Sequence, residues 1–343
     1  IAAAVVFLAS IVAHELAHSL VGRRYGIVVR RITLFVFGGV ATIENEPPSP
    51  AAEWWMAIAG PLASIFLGVA FLAIGGRLAG DAAVLAASDP ELYFGALGPA
   101  ATVLAWVGPI NLLLGVFNLI PGFPLDGGRV LRAALWRIRG DFLAATRGAS
   151  TVGRAIAWLM IFGGVGAALG APPPGLSPGV GQGLWLIFLG IFLSHAAREA
   201  YQQALVEQLL AGVSVARIMR RRPPVVEADL PIGVLVDAQL LGSDARAFPV
   251  VDDRGGLVGI VCLDDVRKAP RERWLDAAVG SIMTPVADLE TAEPQTQAVD
   301  ALRRMVARNV GQLPVIEHDR VVGLVRREDV IRWLQLHTEA LGV

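Results

Sequence analysis

The sequence predicts a polytopic α-helical membrane protein with an α/β module at its C-terminal end. Three observations carry this. The chain of 343 residues is 55% hydrophobic, with a mean hydropathy of +0.58, both high for a soluble domain. Its apolar residues crowd into windows that are long enough to cross a bilayer, all before about residue 210. From about Gly212 to Val343 the composition turns to a soluble mixture of charges, and a repeat appears.

Five windows qualify as spans, at roughly 1–22, 54–76, 97–119, 152–170 and 184–206. Breakers separate them: Pro47-Pro48-Ser49-Pro50, Pro121 with Pro124, and Pro172-Pro173-Pro174. The connection 23–53 carries Arg23, Arg24, Arg30 and Arg31, and 120–151 carries Arg129, Arg132, Arg137, Arg139 and Arg147. In contrast, 77–96 has only Arg77 among three acids, and 171–183 has no arginine. The positive-inside rule then places the two arginine-rich connections, and the tail, in the cytoplasm. With five spans Ile1 falls outside, so a sixth span upstream is expected in the full-length chain. A net charge of −1 gives no footprint for a nucleic-acid partner. The single cysteine, Cys262, excludes an internal disulfide and a cysteine-rich zinc site.

The first window contains His14-Glu15-Leu16-Ala17-His18. On a helix His14 and His18 lie one turn apart on one face, so both imidazoles can hold one metal ion. Glu15 beside them can take a proton from a metal-activated water. Charged and polar groups are costly in hydrocarbon, which favours a site over a chance match. At about 1.5 Å per residue, the pair lies about 7–14 Å below the helix end at Arg23.

Two histidines are too few for a catalytic zinc, which usually takes three protein ligands. His318 and His337 fall in the tail, and His195 stands alone in the last window, where packing is its expected role. A carboxylate is the better candidate. Residues 118–129 read Asn-Leu-Ile-Pro-Gly-Phe-Pro-Leu-Asp-Gly-Gly-Arg. Pro121 and Pro124 end the third span, and Gly127 and Gly128 permit unusual backbone geometry. Asp126 is then held on a broken segment near the leaflet of the two histidines. The alternative is a cytoplasmic turn in which Asp126 caps a helix.

His-Glu-Leu-Ala-His in a membrane helix, followed by this proline- and glycine-rich segment with Asp126, resembles the site-2 protease family of intramembrane zinc metalloproteases. Phe37-Gly38-Gly39 and Glu53-Trp54-Trp55-Met56-Ala57-Ile58-Ala59-Gly60-Pro61 resemble two further family segments. The resemblance covers about residues 1–210. It implies one zinc ion held by His14, His18 and Asp126, with Glu15 as general base. It also implies a role for Asn118 in holding the substrate backbone or oxyanion, although Leu119 stands where the family has proline. The implied setting is a prokaryotic cytoplasmic membrane. The implied substrate is a single-pass transmembrane protein, such as an anti-sigma factor or a membrane-tethered regulator, cut in regulated intramembrane proteolysis. A substrate helix must unwind before attack. The β-prone segment 32–43 is expected to form a hairpin whose edge pairs with the unwound strand, or one that only packs on the helices. A transporter using the same residues to bind an ion is the competing class, and it has no need of a base at Glu15.

The tail repeats itself. Ile218-Met219 recurs as Ile282-Met283, Pro249-Val250-Val251 as Pro314-Val315-Ile316, and Gly259 and Asp265 as Gly323 and Asp329. Each copy reads as a helix, a strand, a charged turn and a second strand. The copies, about 214–268 and 278–338, resemble CBS motifs, which pair into one module. The expected division is a protease domain at 1–211 and a cytoplasmic tandem CBS module at 212–343. The module's implied roles are regulation, assembly into a homodimer or larger, and binding of ATP, ADP or AMP, with Asp265 and Asp329 at the ribose-contacting position. The Ser/Thr that normally precedes that aspartate is Cys262 in one copy and Arg326 in the other. The basic run Arg217, Arg220, Arg221 and Arg222 is either a solvated face or a contact for anionic lipid.

Overall fold

The computed structural model describes residues 1–27, 29–35, 38–43, 47–80, 94–175, 177–240 and 245–340. It divides into two compact units, Ile1–Ala204 and Leu205–Val343.

The first unit is helical. Helix α1 spans Ala2–Arg24, α2 Pro50–Ala79, α3 Pro99–Asn118, α4 Asp126–Arg139, α5 Phe142–Ala168 and α6 Val180–Leu210, the last running on into the second unit. Five of the six are long and apolar enough to cross a membrane, and α4 is the exception. Their packing is inside-out relative to a soluble protein. Helix α1 buries Ser10, His14, Glu15, His18 and Ser19 at helical spacing, whereas Val5, Leu8, Val12, Leu16 and Leu20 are exposed on the other side. Lipid rewards that arrangement, because apolar side chains lose nothing by facing it. Helix α2 begins at a Ser49 cap, whose hydroxyl accepts from Ala52 N–H at 3.2 Å, with Pro50 in the first turn.

Between α1 and α2 run strands β1 (Val29–Phe35) and β2 (Gly38–Ile43), paired antiparallel from Phe35 opposite Gly38 back to Val29 opposite Ile43. This is the hairpin expected over 32–43. Phe37 of the Phe-Gly-Gly element lies outside the described residues.

Helix α4 is an element that the hydropathy windows miss. It is short and carries four arginines (Arg129, Arg132, Arg137 and Arg139), and it ends at Gly140 in the left-handed conformation, φ 72°. Asp126 is therefore the first residue of a helix and not part of a broken segment. The irregular backbone comes just before it, at 119–125, and includes a cis Phe123–Pro124 bond. Gly127 and Gly128 are helical, and what they supply is clearance. A Cβ on Gly127 would collide with the carbonyls of Leu119 and Ile120, and one on Gly128 with the backbone of Gly122 and Phe123.

In the second unit, a helical turn α7 (Val215–Ile218) leads to β3 (Arg220–Arg221) and β4 (Val226–Glu227). Helical turns at Ile232–Leu235 (α8) and Val236–Leu240 precede a hairpin, β5 (Ala247–Val251) with β6 (Leu257–Cys262), and α9 (Leu263–Lys268). The second copy follows with β7 (Thr284–Pro285), α10 (Ala298–Ala307), β8 (Gln312–Glu317), β9 (Arg320–Arg326) and α11 (Arg327–Ala340). The sheet orders are β4-β5-β6-β7 and β3-β9-β8. The copies thus exchange their first strands: β3 of the first pairs with β9 of the second, and β7 of the second with β6 of the first. The repeated Met and Gly positions meet across this exchange. The space beside Gly323 is filled by Met219 Sδ, and that beside Gly259 by Met283 Sδ. A side chain at either glycine would displace the partner copy's methionine.

Candidate active site

Helix α1 brings His14 and His18 to one face, and α4 delivers Asp126 to the same point. His14 Nε2 and His18 Nε2 lie 3.2 Å apart, and each is 3.2 Å from Asp126 Oδ2. Both histidines are buried, and the Asp126 side chain is 15% exposed. Among the described residues, these three form the one cluster of His, Cys, Asp or Glu side chains that could hold a metal ion.

The donor set fits zinc. Bonds of about 2.0–2.1 Å in a tetrahedron place neighbouring donors about 3.3–3.4 Å apart, close to the three separations seen. The outer ring nitrogens are also committed. His18 Nδ1 lies 2.6 Å from the carbonyl oxygen of Met56. A carbonyl only accepts, so that nitrogen carries the proton and Nε2 presents its lone pair. His14 Nδ1 is 2.9 Å from Ser64 Oγ, which can accept in the same way.

Helix α2 supplies both of these outer partners from one face. Glu53, Met56, Gly60 and Ser64 follow one another at helical spacing, and all are buried. Gly60 is where the rings come closest to the helix. A Cβ there would collide with His18 Nε2 and lie 2.7 Å from His14 Nε2.

Glu15 is buried on α1 between the two histidines. Asn118 is the last residue of α3, and its amide donates to the Leu114 carbonyl at 3.0 Å. It is held by its own helix and is not hydrogen-bonded to the cluster. Glu53, Met56, Ser64, Arg129 and Arg132 are the residues around the cluster that sequence reasoning passed over as site members. For Glu53 a signal was present, since it is an acidic group heading an apolar helix and is fully buried. A carboxyl in hydrocarbon is as costly there as at Glu15. In the sequence Arg129 and Arg132 read only as orientation charges.

In the tail, Asp265 and Asp329 each accept hydrogen bonds from the residue three before them. Asp265 Oδ2 accepts from Cys262 N–H at 2.9 Å, in a capping box at the start of α9. Asp329 accepts from Arg326 Nε at 3.0 Å and Arg326 Nη2 at 2.8 Å, with Arg220 Nε at 3.8 Å. Burial works against that charge, but the guanidinium groups prevail and hold the carboxyl below its ordinary range. Burial together with Asp265 and Asp264 pushes the Cys262 thiol up to about 11. Cavities open among the described residues of this unit, and one of about 500 Å³ is lined by Asp265 with Lys268 and Arg273. One of about 980 Å³ is lined by Cys262, Gln312, Arg308 and Arg326 among others. One of about 690 Å³ is bordered by Arg220, Arg246, Arg267, Arg271, Arg326 and Arg332. Of the basic run, Arg217 stacks over the Trp333 ring at 5.3 Å, and Arg221 lies in β3.

A cluster that could hold a metal ion, buried among helices long and apolar enough to cross a membrane and with a glutamate next to its first histidine, is the arrangement of a membrane-embedded metallopeptidase. The profile of Peptidase family M50 matches residues 2–160, and that of the CBS domain matches 215–272 and 279–336. Among curated proteins, one named "Putative zinc metalloprotease Rip3", of Mycobacterium tuberculosis, is 36% identical over 335 residues, covering 97% of this chain and 80% of that one. A protein of Synechocystis sp., also named as a putative zinc metalloprotease, is 30% identical over 334 residues, covering 97% and 82%. The site-2 protease of Methanocaldococcus jannaschii aligns in structure with a TM-score of 0.40 at 29% identity, covering 57% of this chain and 76% of that one. The chain belongs to Peptidase family M50, the site-2 proteases, and is an integral membrane zinc metalloendopeptidase with a CBS domain pair.

Proposed function

We propose that His14, His18 and Asp126 hold one zinc ion and that the chain cleaves a transmembrane helix of a single-pass membrane protein. The observation that carries this is the three-donor cluster, with separations of 3.2 Å and a fixed outer partner for each histidine. When bound, zinc acidifies water and polarises a carbonyl. Glu15 takes the proton of the attacking water and later gives it to the leaving amine. Asn118, at the end of α3, binds the substrate backbone or the developing oxyanion once its bond to Leu114 is exchanged. The β1–β2 hairpin offers an edge on which an unwound substrate segment can pair. Proline scanning through 33–40 tests this, and undiminished cleavage in every variant would remove the strand-pairing step.

The tail, in this proposal, lies in the cytoplasm and regulates or dimerises the enzyme. The arginine-bordered cavity suits the phosphates of ATP, ADP or AMP. Deletion of 212–343 should convert a detergent-solubilised dimer to monomers. The decisive test of the whole assignment is zinc content of the purified chain together with cleavage of a single-pass substrate. Glu15→Gln should keep zinc and lose cleavage. Ion transport that survives Glu15→Gln would favour the transporter class.

A further inference from the structure

The third zinc ligand arrives from far along the chain, and something must hold it. From α1, His14 and His18 lie 3.2 Å from its carboxylate. A second hold comes from α2, through a buried ionic group one turn from the contacts to those histidines. Glu53 is fully buried. Its Oε1 accepts from Arg132 Nε at 2.7 Å and also from Arg132 Nη2, and Arg129 Nε lies 3.9 Å from the same oxygen. The other oxygen, Oε2, is buried with no hydrogen-bond partner among the described residues.

Both arginines sit on the helix that Asp126 begins. Arg129 follows Asp126 by three residues, about one turn. Arg132 also reaches back to the loop before Asp126. Its guanidinium lies 5.0 Å from the centre of the Phe123 ring and 4.6 Å from that of Phe142. One side chain therefore ties together α2, the irregular segment that leads into Asp126, and the start of α5.

We propose that Glu53, acting through Arg132 and Arg129, is the positioning group that sets Asp126 against the two histidines. Helix α2 then orients all three donors from one face: His14 through Ser64, His18 through the Met56 carbonyl, and Asp126 through Glu53. A buried carboxylate is repaid only by charged partners in good geometry, which Arg132 supplies at Oε1, and a fixed α4 is what a metal ligand on its first turn requires. This inference rests on the zinc assignment above.

The test measures zinc affinity by chelator competition in the full-length chain in detergent, together with the thermal midpoint of the zinc-free form. Wild-type protein comes first. If it holds no zinc, the metal assignment fails and the positioning proposal falls with it. With zinc present, Glu53→Gln and Arg132→Met should each weaken zinc binding 10–100-fold, the range for groups that orient metal ligands. Arg132→Lys should restore only part, since an ammonium lacks the two-pronged geometry. Glu53→Gln combined with Arg132→Met should cost little more than either change alone. Zinc affinity equal to wild type in folded Glu53→Gln and Arg132→Met would overturn the proposal, whatever the fall in thermal midpoint. If those single variants do not fold, Glu53→Gln with Arg132→Gln removes both charges at similar volume. Wild-type affinity in that protein would overturn the proposal equally.

Discussion

In the membrane unit Asp126 stands 3.2 Å from two imidazoles that precede it by more than a hundred residues. In the tail, Asp265 and Asp329 turn instead to groups three residues before themselves. All three carboxylates open a helix, where the first-turn N–H groups favour negative charge. They differ in what surrounds them. Asp126 is carried by a helix pinned from outside by Glu53, and the glycines beside it let the preceding loop pack close. The tail aspartates have a nearby donor ready, the Cys262 N–H or the Arg326 guanidinium, and satisfy themselves locally. Asp126 is the first residue of its helix and the tail aspartates are the third of theirs, and that offset turns the tail carboxylates back onto the residue before their helix.

The largest effect should come from removing a donor of the membrane cluster. His14→Ala or Asp126→Ala should lower zinc from near one per chain to near zero, measured by elemental analysis. Zinc kept without Asp126 would mean that the third ligand lies elsewhere. Glu15→Gln should leave zinc in place and slow cleavage by about 10²–10⁴-fold, the usual contribution of a positioned general base. For the tail, the raised Cys262 thiol predicts slow alkylation at pH 8. With its pKa near 11, the thiolate fraction is about a hundredfold below that of an ordinary cysteine. Labelling at the rate of a free thiol would show that Cys262 is not so enclosed. Gly60→Ala sharpens the comparison more gently. The added methyl meets both imidazoles, so zinc affinity should fall by about tenfold, and wild-type affinity would show that the rings are not pressed on α2.

The smallest effect is a pH dependence. Asp329 is held below the ordinary carboxylate range, so its pairing contributes stability above the unfolded value of about 3.9. That contribution should be lost as pH falls below it. Protection factors of the β8–β9 amides, corrected for the intrinsic exchange rate at each pH, should therefore fall between pH 5 and 3, and less so in Asp329→Asn. An equal fall in both proteins would assign the acid sensitivity to other groups.

The sequence by itself determined what is local or periodic. The spacing of His14 and His18, the glutamate between them, the apolar windows, the hairpin over 32–43 and the repeat could all be read, because helix and strand geometry fix which neighbours share a face. The windows missed α4, since four arginines in so short a segment look like a connection. Sequence likewise singled out Asp126 without showing what carries it into the cluster. Only the tertiary structure decided that Glu53, Met56, Gly60 and Ser64 form the face on which the donors are arranged. The same holds for the pairing of Met219 with Gly323 and of Met283 with Gly259, which ties one copy to the other. The repeat itself was visible in the sequence, but the reason for it was not. The physical cause is the same in both units. A close approach between distant segments depends on small residues and rigid partners meeting in space, and no period along the chain encodes that meeting.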